Sequence, residues 1–210
     1  CNSMGNNNFK RHSKDYSKSD GKARPGHSDY VAYEKYNGYE DYRGGGHFSG
    51  RITAALVAAG AICKCALEQK GIIIGTHVKK CAGIQDREFE DLSSDIQILN
   101  NSTFAVLDEA RGEKMQKAIL AAASEGDSVG CVLETAISGM PVGVGEPWFD
   151  TVESMLSHML FSIPAVKGVE FGAGFAIADM RGSKANDPLR MEHGAVVSTS
   201  NNNGGINGGI

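Results

Sequence analysis

Apolar and polar positions along the chain follow helical periods in some segments and extended patterns in others. Residues 51–69 form an Ala-rich run that is apolar nearly all round, which predicts a buried helix. Residues 71–78 and 130–137 are rich in β-branched side chains and predict strands. A further strand is predicted over 169–180, although glycines interrupt its pattern. Helices and strands are therefore mixed along one chain.

Two more segments have the 3.6-residue period of helices. Residues 105–125 are charged and amphipathic, with Met115 and Leu120 on one apolar face. Residues 147–161 predict a core helix that begins close to Pro147, with acidic side chains in its first turns. Both segments are long enough for three or more helical turns.

The two ends of the chain are predicted to contain more turns and loops than the middle. Residues 1–23 are polar and predict a loop, as does the Asn- and Gly-rich segment 200–210. Residues 24–50 are rich in turn formers and carry Tyr at every third position from 30 to 42. We interpret this spacing as a short helix or series of turns that packs its rings on a core.

A short internal repeat indicates two similar halves. KGIIIGTHV at 70–78 aligns with KGVEFGAGF at 167–175, at an offset of 97 residues, and a predicted helix precedes each copy. A repeated helix–strand unit is typical of a fold in which each half lays a helix on a sheet. The halves are centred on 51–80 and 147–180.

Length and composition indicate one globular domain, or two small ones at most. The chain has 210 residues, of which 41% are hydrophobic and 22% charged. We expect no membrane-spanning helix, because the longest apolar candidate, 52–62, is broken by Thr53 and Gly60 and falls short of about 18 residues.

The cysteines argue against a secreted disulfide scaffold and against a metal site. Their number, five, is odd, and Cys63 and Cys65 lie within the predicted helix 51–69. Two cysteines separated by one residue on a helix point in different directions, so they do not form a metal pair. We therefore expect a cytoplasmic protein without a bound metal.

Charge is distributed unevenly along the chain. Residues 1–51 hold nine Lys and Arg against six Asp and Glu, a net +3, whereas the rest of the chain has a net charge of −7. A basic segment on an acidic protein indicates a local anion site. Long basic runs are absent, which argues against a nucleic-acid partner and favours a compact anion such as a phosphorylated metabolite.

Two motifs in the basic segment are candidates for that site. RPGH at 24–27 holds Arg24 and His27 around a Pro-Gly turn, although a lone histidine is equally well explained as structural. GGGHFSGR at 44–51 brings bare backbone and Arg51 to the start of a predicted helix, where Ser49 is a candidate cap. A glycine turn before a helix explains the second motif as well.

Taken in order, the motifs resemble the chorismate synthase family. The motifs are SKDYSK (13–18), RPGHSDY (24–30), KYNGYEDYRGGGHFSGRITA (35–54), EGDSVG (125–130), SGMPVGVGEPWFD (138–150), SIPAVKGVEFGAGF (162–175) and NNNGGINGGI (201–210). The resemblance implies an α+β fold, a β-α-β sandwich with core helices between antiparallel sheets and an internal pseudo-repeat. The predicted repeat agrees with it.

The resemblance also implies a reaction. Chorismate synthase eliminates phosphate from 5-enolpyruvylshikimate 3-phosphate by a 1,4-anti elimination, and it requires reduced FMN although no net oxidation occurs. NADPH is a candidate source of reducing equivalents, and the family implies a homotetramer. The phosphate and carboxylates of the substrate, with the phosphate of FMN, would account for the basic segment.

Eight positions match functional residues of the family. His27 resembles a general acid near the flavin, a role that suits an imidazole at neutral pH. Arg24 and Arg51 resemble arginines that hold the anionic groups of the substrate. Flavin contacts are implied for five residues: His47, Phe48, Ser49, Asn202 and Asn203. His47 and Asn203 depart from the residues that many relatives carry there.

One family motif does not occur in this sequence. The family's G-[ED]-S-H-G motif carries a second catalytic histidine, and no such motif occurs here, so we expect part of a larger enzyme. The alternative is a non-catalytic module of the same fold that binds a flavin or a phosphorylated metabolite. Whether that motif precedes this segment in the natural protein would distinguish the two hypotheses.

Overall fold

The computed structural model describes residues 22–41 and 43–210, which divide into two compact units. The first unit contains the described residues up to Val57 together with Gly145–Ile210, and the second contains Ala58–Val144. The predictions for residues 1–21 and for Tyr42 lie outside the described residues. Helices and antiparallel sheets occur together in the chain, so the predicted α+β class is confirmed.

A three-stranded antiparallel sheet organises the second unit. Strand β1 (Ile73–Cys81) lies in the middle, between β2 (Ile84–Gln85) and β3 (Cys131–Ser138). The turn from β1 to β2 places Ala82 and Gly83 at φ angles of 51° and 82°, as in the tight hairpins that match strand twist. The strands predicted over 71–78 and 130–137 are therefore confirmed.

Two helices complete the second unit. Helix α3 (Leu92–Asn100) packs on the sheet, and α4 (Glu109–Ser124) follows it, each begun by an aspartate that accepts a hydrogen bond from a backbone N–H. The buried apolar side chains lie at Ile72, Cys81, Ile96, Leu99 and Met115. The helix predicted over 105–125 is confirmed and Met115 is buried, but Leu120 remains 69% exposed.

The first unit contains shorter elements. They are α1 (Asp29–Lys35), α5 (Val152–Leu160), α6 (Gly182–Ala185) and the hairpin formed by β4 (Leu189–Glu192) and β5 (Ala195–Ser198). Helix α5 begins later than Pro147 because Thr151 is its N-cap and accepts from the N–H of Ser154. Pro147 instead precedes a short 3-10 helix, Trp148–Asp150.

Helix α2 (Thr53–Glu68) runs from the first unit into the second. It differs from two predictions, which concern its burial and the length of its apolar segment. The helix itself is confirmed, but none of its residues is buried, and Val57 and Ile62 are 69% and 73% exposed. The helical run Gly50–Glu68 has 19 residues and a mean hydropathy of 1.5, which meets the requirement for a membrane span by length and composition alone. The expectation that no apolar segment reaches this length was wrong, because Thr53 and Gly60 do not interrupt the helix.

The strand predicted over 169–180 does not form. Gly172 and Gly174 have φ angles of 57° and 54°, which turn the backbone away from an extended path, and a 3-10 helix covers Gly174–Asp179. The repeat at 167–175 therefore has a different backbone from 70–78, most of which lies in β1. The two similar halves remain a prediction.

The tyrosines of the basic segment also differ from expectation. Helix α1 supplies the predicted short helix, but its rings are not packed on a core in the described part of the chain. Tyr30 and Tyr33 are more than half exposed, and Tyr39 is 92% exposed. The rings are therefore accessible to a partner or a ligand.

Candidate functional site

The RPGH turn is fixed by one carboxylate at the start of α1. Asp29 accepts hydrogen bonds from Arg24 through Nε (2.8 Å), Nη2 (2.9 Å) and the backbone N–H (3.0 Å). The same carboxylate lies 2.7 Å from Nδ1 of His27. The Arg24 guanidinium holds the pKa of the Asp29 carboxyl well below its usual range, so Asp29 is ionised. Arg24 and His27 are thus brought together, as the turn predicts.

The imidazole of His27 lies against the glycine-rich segment. A Cβ placed on Gly45 would come 3.0 Å from Cε1 of His27 and 3.3 Å from Nε2. Gly45 also has a φ of 81°, which other residues rarely adopt. The absence of a side chain at this position therefore lets the 44–46 segment approach the histidine ring.

The rest of the glycine-rich motif forms two short 3-10 helices before α2. Arg43–Phe48 is the first and Gly50–Ile52 the second, and Ser49 caps the second through a 3.4 Å contact to the N–H of Arg51. Ser49 therefore has the predicted capping role. Arg51 is exposed and lies in the capped 3-10 turn that precedes α2.

A cavity of about 530 Å³ lies beside the histidine. Its walls include the rings of Tyr36, Tyr39 and Phe48, together with His47 and Glu40. One carboxylate oxygen of Glu40, Oε2, is buried and has no hydrogen-bond partner within the part of the chain that the structure describes. The cavity thus combines aromatic faces with an acceptor that can take a hydrogen bond from a ligand N–H.

The asparagines at the end of the chain belong to a second cluster, organised by Asp187. The Asp187 carboxylate accepts from Oγ of Ser200 (2.6 Å) and from the backbone N–H groups of Asn202 and Asn203 (2.8 Å each). These hydrogen bonds, led by that from Ser200, lower the pKa of Asp187. The loop is therefore held at its backbone by one carboxylate.

The asparagine side chains are themselves engaged inside the loop. Nδ2 of Asn202 donates to the carbonyl of Lys184 (3.2 Å), and Nδ2 of Asn203 donates to Oδ1 of Asn207 (2.8 Å). The carbonyl of Asn202 accepts from the N–H of Ala173, and Gly172 lies so close that a Cβ there would overlap it. The Nδ2 groups and the backbone N–H groups of both asparagines are therefore engaged inside the protein.

All eight residues predicted for the site lie in the first unit. The structure brings Arg24 and His27 together with the glycine-rich motif, and it places Asn202 and Asn203 in the cluster around Asp187. Sequence reasoning missed Asp29 and Asp187. The Asp-Pro pair at 187–188 is a turn signal that could have indicated the second, and Asp29 lies two residues after His27.

Comparison with known proteins decides the family. A family model described as chorismate synthase matches residues 3–210. The chain belongs to the chorismate synthase family. The same family name is carried by a relative from Dehalococcoides mccartyi that is 46% identical over 200 residues, and by one from Pyrococcus abyssi that is 46% identical over 189 residues.

The match to chorismate synthases extends over nearly all of this chain but not over the relatives. The alignments cover 94% and 90% of the chain, and 54% and 52% of the two relatives. The chain thus spans about half the length of the curated relatives it matches. A solved crystal structure of chorismate synthase is similar in fold, with a TM-score of 0.77 and 31% identity over 86% of this chain and 58% of that one.

Proposed function

We propose that the protein containing this chain is a chorismate synthase, a carbon–oxygen lyase. It would eliminate phosphate from 5-enolpyruvylshikimate 3-phosphate in a 1,4-anti sense to give chorismate, in the presence of reduced FMN. The observation that carries the proposal is His27, held by Asp29 against Gly45 beside an aromatic cavity, in a chain that matches the family over residues 3–210.

The residues around the cavity fit a flavin ring. Tyr36, Tyr39 and Phe48 offer faces on which a flat heterocycle stacks, and the unpartnered oxygen of Glu40 suits a ring N–H. His47, Phe48 and Ser49 lie on the backbone that the glycines leave accessible. Reduced FMN, when bound, would supply electron density as the C–O bond to the departing phosphate breaks, and would regain it as the ring hydrogen leaves.

The other site residues have two kinds of role, which are to hold a proton and to bind anionic groups. His27 holds a proton beside the flavin as a general acid, for which an imidazole is suited near neutral pH. Arg51, exposed on its capped turn, pairs with phosphate or carboxylate of the substrate. Arg24 contributes positive charge to the same region while it binds Asp29. Asn202 and Asn203 contribute their loop, which Asp187 holds, to the FMN site.

The remaining proposals concern the whole protein. We propose a homotetramer in the cytoplasm, acting on a small phosphorylated substrate and needing neither nucleic acid nor a bound metal. NADPH is the candidate reductant for the flavin.

The test of the activity uses the protein as its natural gene encodes it. Purified protein with reduced FMN, kept anaerobic, is expected to release phosphate and form chorismate. Protein that binds FMN and forms no chorismate would instead support a non-catalytic module of the same fold. Protein that neither binds FMN nor turns over the substrate would overturn both.

The role of His27 is tested in the same protein. His27→Ala is expected to lower turnover by roughly 10²-fold or more, because it removes a general acid, while FMN still binds. His158→Ala, which changes an exposed histidine of α5, is the matched control and should keep wild-type turnover. Wild-type turnover in His27→Ala would contradict the assigned role.

A further inference from the structure

Asp29 contacts both functional side chains of the RPGH turn. Its Oδ1 lies 2.7 Å from Nδ1 of His27 and accepts from Nη2 of Arg24 at 2.9 Å, while Oδ2 accepts from Nε of Arg24 at 2.8 Å. Both carboxylate oxygens are thus used, and the Arg24 pairing is bidentate. The side chain of Asp29 is 20% exposed and that of His27 is 31% exposed, so water screens the contact only in part.

The contacts around Nδ1 of His27 determine where the ring carries its proton. An ionised carboxylate only accepts hydrogen bonds, so the 2.7 Å contact requires a proton on Nδ1. Nη2 of Arg24 also lies 3.2 Å from Nδ1, but a guanidinium only donates and cannot bond to a protonated nitrogen. The shorter contact therefore prevails, and Nη2 of Arg24 donates to Asp29 instead.

The opposite side of the ring faces the glycine-rich segment. Nε2 and Cε1 are the atoms closest to the position of a Cβ on Gly45, and Gly45 borders the cavity. With Nδ1 protonated and bound, Nε2 is the nitrogen that carries a lone pair in the neutral ring and a donor proton in the imidazolium. A proton that leaves or enters His27 therefore does so through Nε2.

We propose that Asp29, itself fixed by Arg24, is a positioning residue that holds His27 in the Nδ1–H tautomer and directs Nε2 toward Gly45, which borders the cavity. The proposal rests on the proposed function for the catalytic use of His27, but the tautomer is a property of this chain alone. Asp29 acts through His27 and is not assigned a contact with the substrate or the flavin.

If Asp29 has a purely structural role, the expected effects of its substitution differ from those of a positioning role. Asp29 is an acidic residue in the first turn of α1, where it interacts favourably with the helix dipole, and Ser28 makes no side-chain capping bond there. In that role the carboxylate would stabilise α1 without selecting a tautomer. Glu34, which is exposed on the same helix, provides an acidic control at a position that does not bind His27.

The tautomer is measured directly by nitrogen-15 NMR of the histidine side chains in the full-length protein. Wild-type His27 in its neutral form is expected to show a protonated Nδ1 and an unprotonated Nε2. Asp29→Asn should shift the population toward the Nε2–H form, whereas Glu34→Gln should leave the wild-type pattern. A wild-type His27 that carries its neutral proton on Nε2 overturns the proposal, whatever the variants do.

The kinetic consequence is measured in the full-length protein. Asp29→Asn is expected to lower kcat by roughly 10-fold or more, because the wrong tautomer predominates, with KM for the phosphorylated substrate nearly unchanged. Asp29→Glu should recover part of the loss, and Glu34→Gln should have wild-type kcat. An unchanged kcat in folded Asp29→Asn, or a loss confined to KM, overturns the positioning role.

The two measurements keep this proposal separate from the proposed function. If full-length protein forms no chorismate, the proposed function fails, and the NMR result still decides whether Asp29 selects the tautomer. If chorismate forms but His27 shows the Nε2–H tautomer, the function stands and the role of Asp29 fails. Should Asp29→Asn not fold, the wild-type spectrum and the Asp29→Glu variant decide.

Discussion

His77, on the middle strand β1, is the most completely buried histidine of the described chain, and two carboxylates bind it. Its Nδ1 lies 2.7 Å from Asp86 and its Nε2 lies 2.9 Å from Glu134, the residue paired with it on β3. Asp86 also accepts from the backbone N–H groups of Leu107 and Asp108. The cluster thus joins strands β1 and β3 to the segment that begins α4.

The pKa values of this cluster move in opposite directions. Burial lowers the pKa of His77, but the bonds to Glu134 and Asp86 outweigh it, so the pKa is raised overall. Burial raises the pKa of Asp86, and hydrogen bonds led by that from Leu107 reverse this and lower it. The pKa of Glu134 is lowered chiefly by its bond to His77. At moderately acid pH the cluster is therefore an imidazolium between two carboxylates.

These shifts predict a stability maximum for the second unit. The contribution of His77 is complete below its unfolded pKa, about 6.5, and is lost as pH rises through the raised folded value. The contributions of Asp86 and Glu134 are complete above about pH 4 and are lost as pH falls through their lowered values. Urea unfolding at several pH values should give the highest free energy of unfolding between these limits. A free energy that rises steadily above pH 7 would contradict the prediction.

A single substitution tests the same cluster. Asp86→Asn leaves the imidazolium without one buried partner and should lower the free energy of unfolding by about 3 kcal/mol near pH 5.5. Glu192→Gln removes the carboxylate of an exposed pair with Arg190 and should cost less than about 1 kcal/mol. Equal losses for both variants would show that the buried His77 cluster contributes no more to stability than an exposed ion pair.

Some residues whose role depends on neighbours in sequence were predictable, although Asp29, two residues after His27, was missed; the roles of His77 and Asp187, whose partners are distant, were not predictable. Arg24 and His27 were found because a Pro-Gly turn holds them three positions apart. No local sequence pattern indicated the role of His77. It follows a run of β-branched residues, and its partners lie 9 and 57 residues away. Asp187 was missed for the same reason, since it binds residues 13 to 16 positions later.

At the scale of elements, the contact between β1 and α3 leaves no room for a side chain at Gly75. A Cβ on Gly75 would lie 2.8 Å from Cγ1 of Ile96 and 3.0 Å from its Cγ2. Ile96 is 1% exposed, so it has little space into which to move. Gly75 therefore sets the distance at which the helix packs on the sheet.

Gly75→Ala is expected to lower the free energy of unfolding by about 1–3 kcal/mol through overpacking. Ile96→Ala alone should cost about 2–5 kcal/mol because it leaves a cavity. The double variant should lose less than the sum of the two, since the new methyl group occupies part of the cavity. Gly60→Ala, in open space on α2, is the control and should be neutral or slightly stabilising. Additive losses in the double variant would contradict the assigned contact.

Elements with a strong local pattern were predicted with their type and approximate bounds. The strands at 71–78 and 130–137 and the helix at 51–69 fall within two to three residues of β1, β3 and α2. The prediction of a strand over 169–180 was wrong, because Gly172 adopts a left-handed conformation where the backbone of Asn202 packs against it. The two residues are 30 positions apart, so their contact cannot be predicted from the local sequence pattern.

At the scale of the whole molecule, burial is concentrated in one of the two units. Five of the six buried apolar side chains of the described residues lie in Ala58–Val144, and Ala32 of the first unit is the sixth. None of the residues of α2, which belongs to both units, is buried in the described chain. The two units should therefore differ in local stability.

Hydrogen–deuterium exchange followed by mass spectrometry measures that difference in the 210-residue chain. The amides of β1 are expected to exchange slowest, because β1 is the central strand of its sheet and its residues His77 and Cys81 are buried. The hairpin β4–β5 should exchange at least roughly 10-fold faster, because isolated two-stranded hairpins are marginally stable and none of its residues is buried. Protection of that hairpin equal to that of β1 would show that the first unit has a cooperative core of its own.

The Asp86→Asn variant should accelerate exchange in β1 and β3 and leave the hairpin unchanged, since the His77 cluster lies wholly in the second unit.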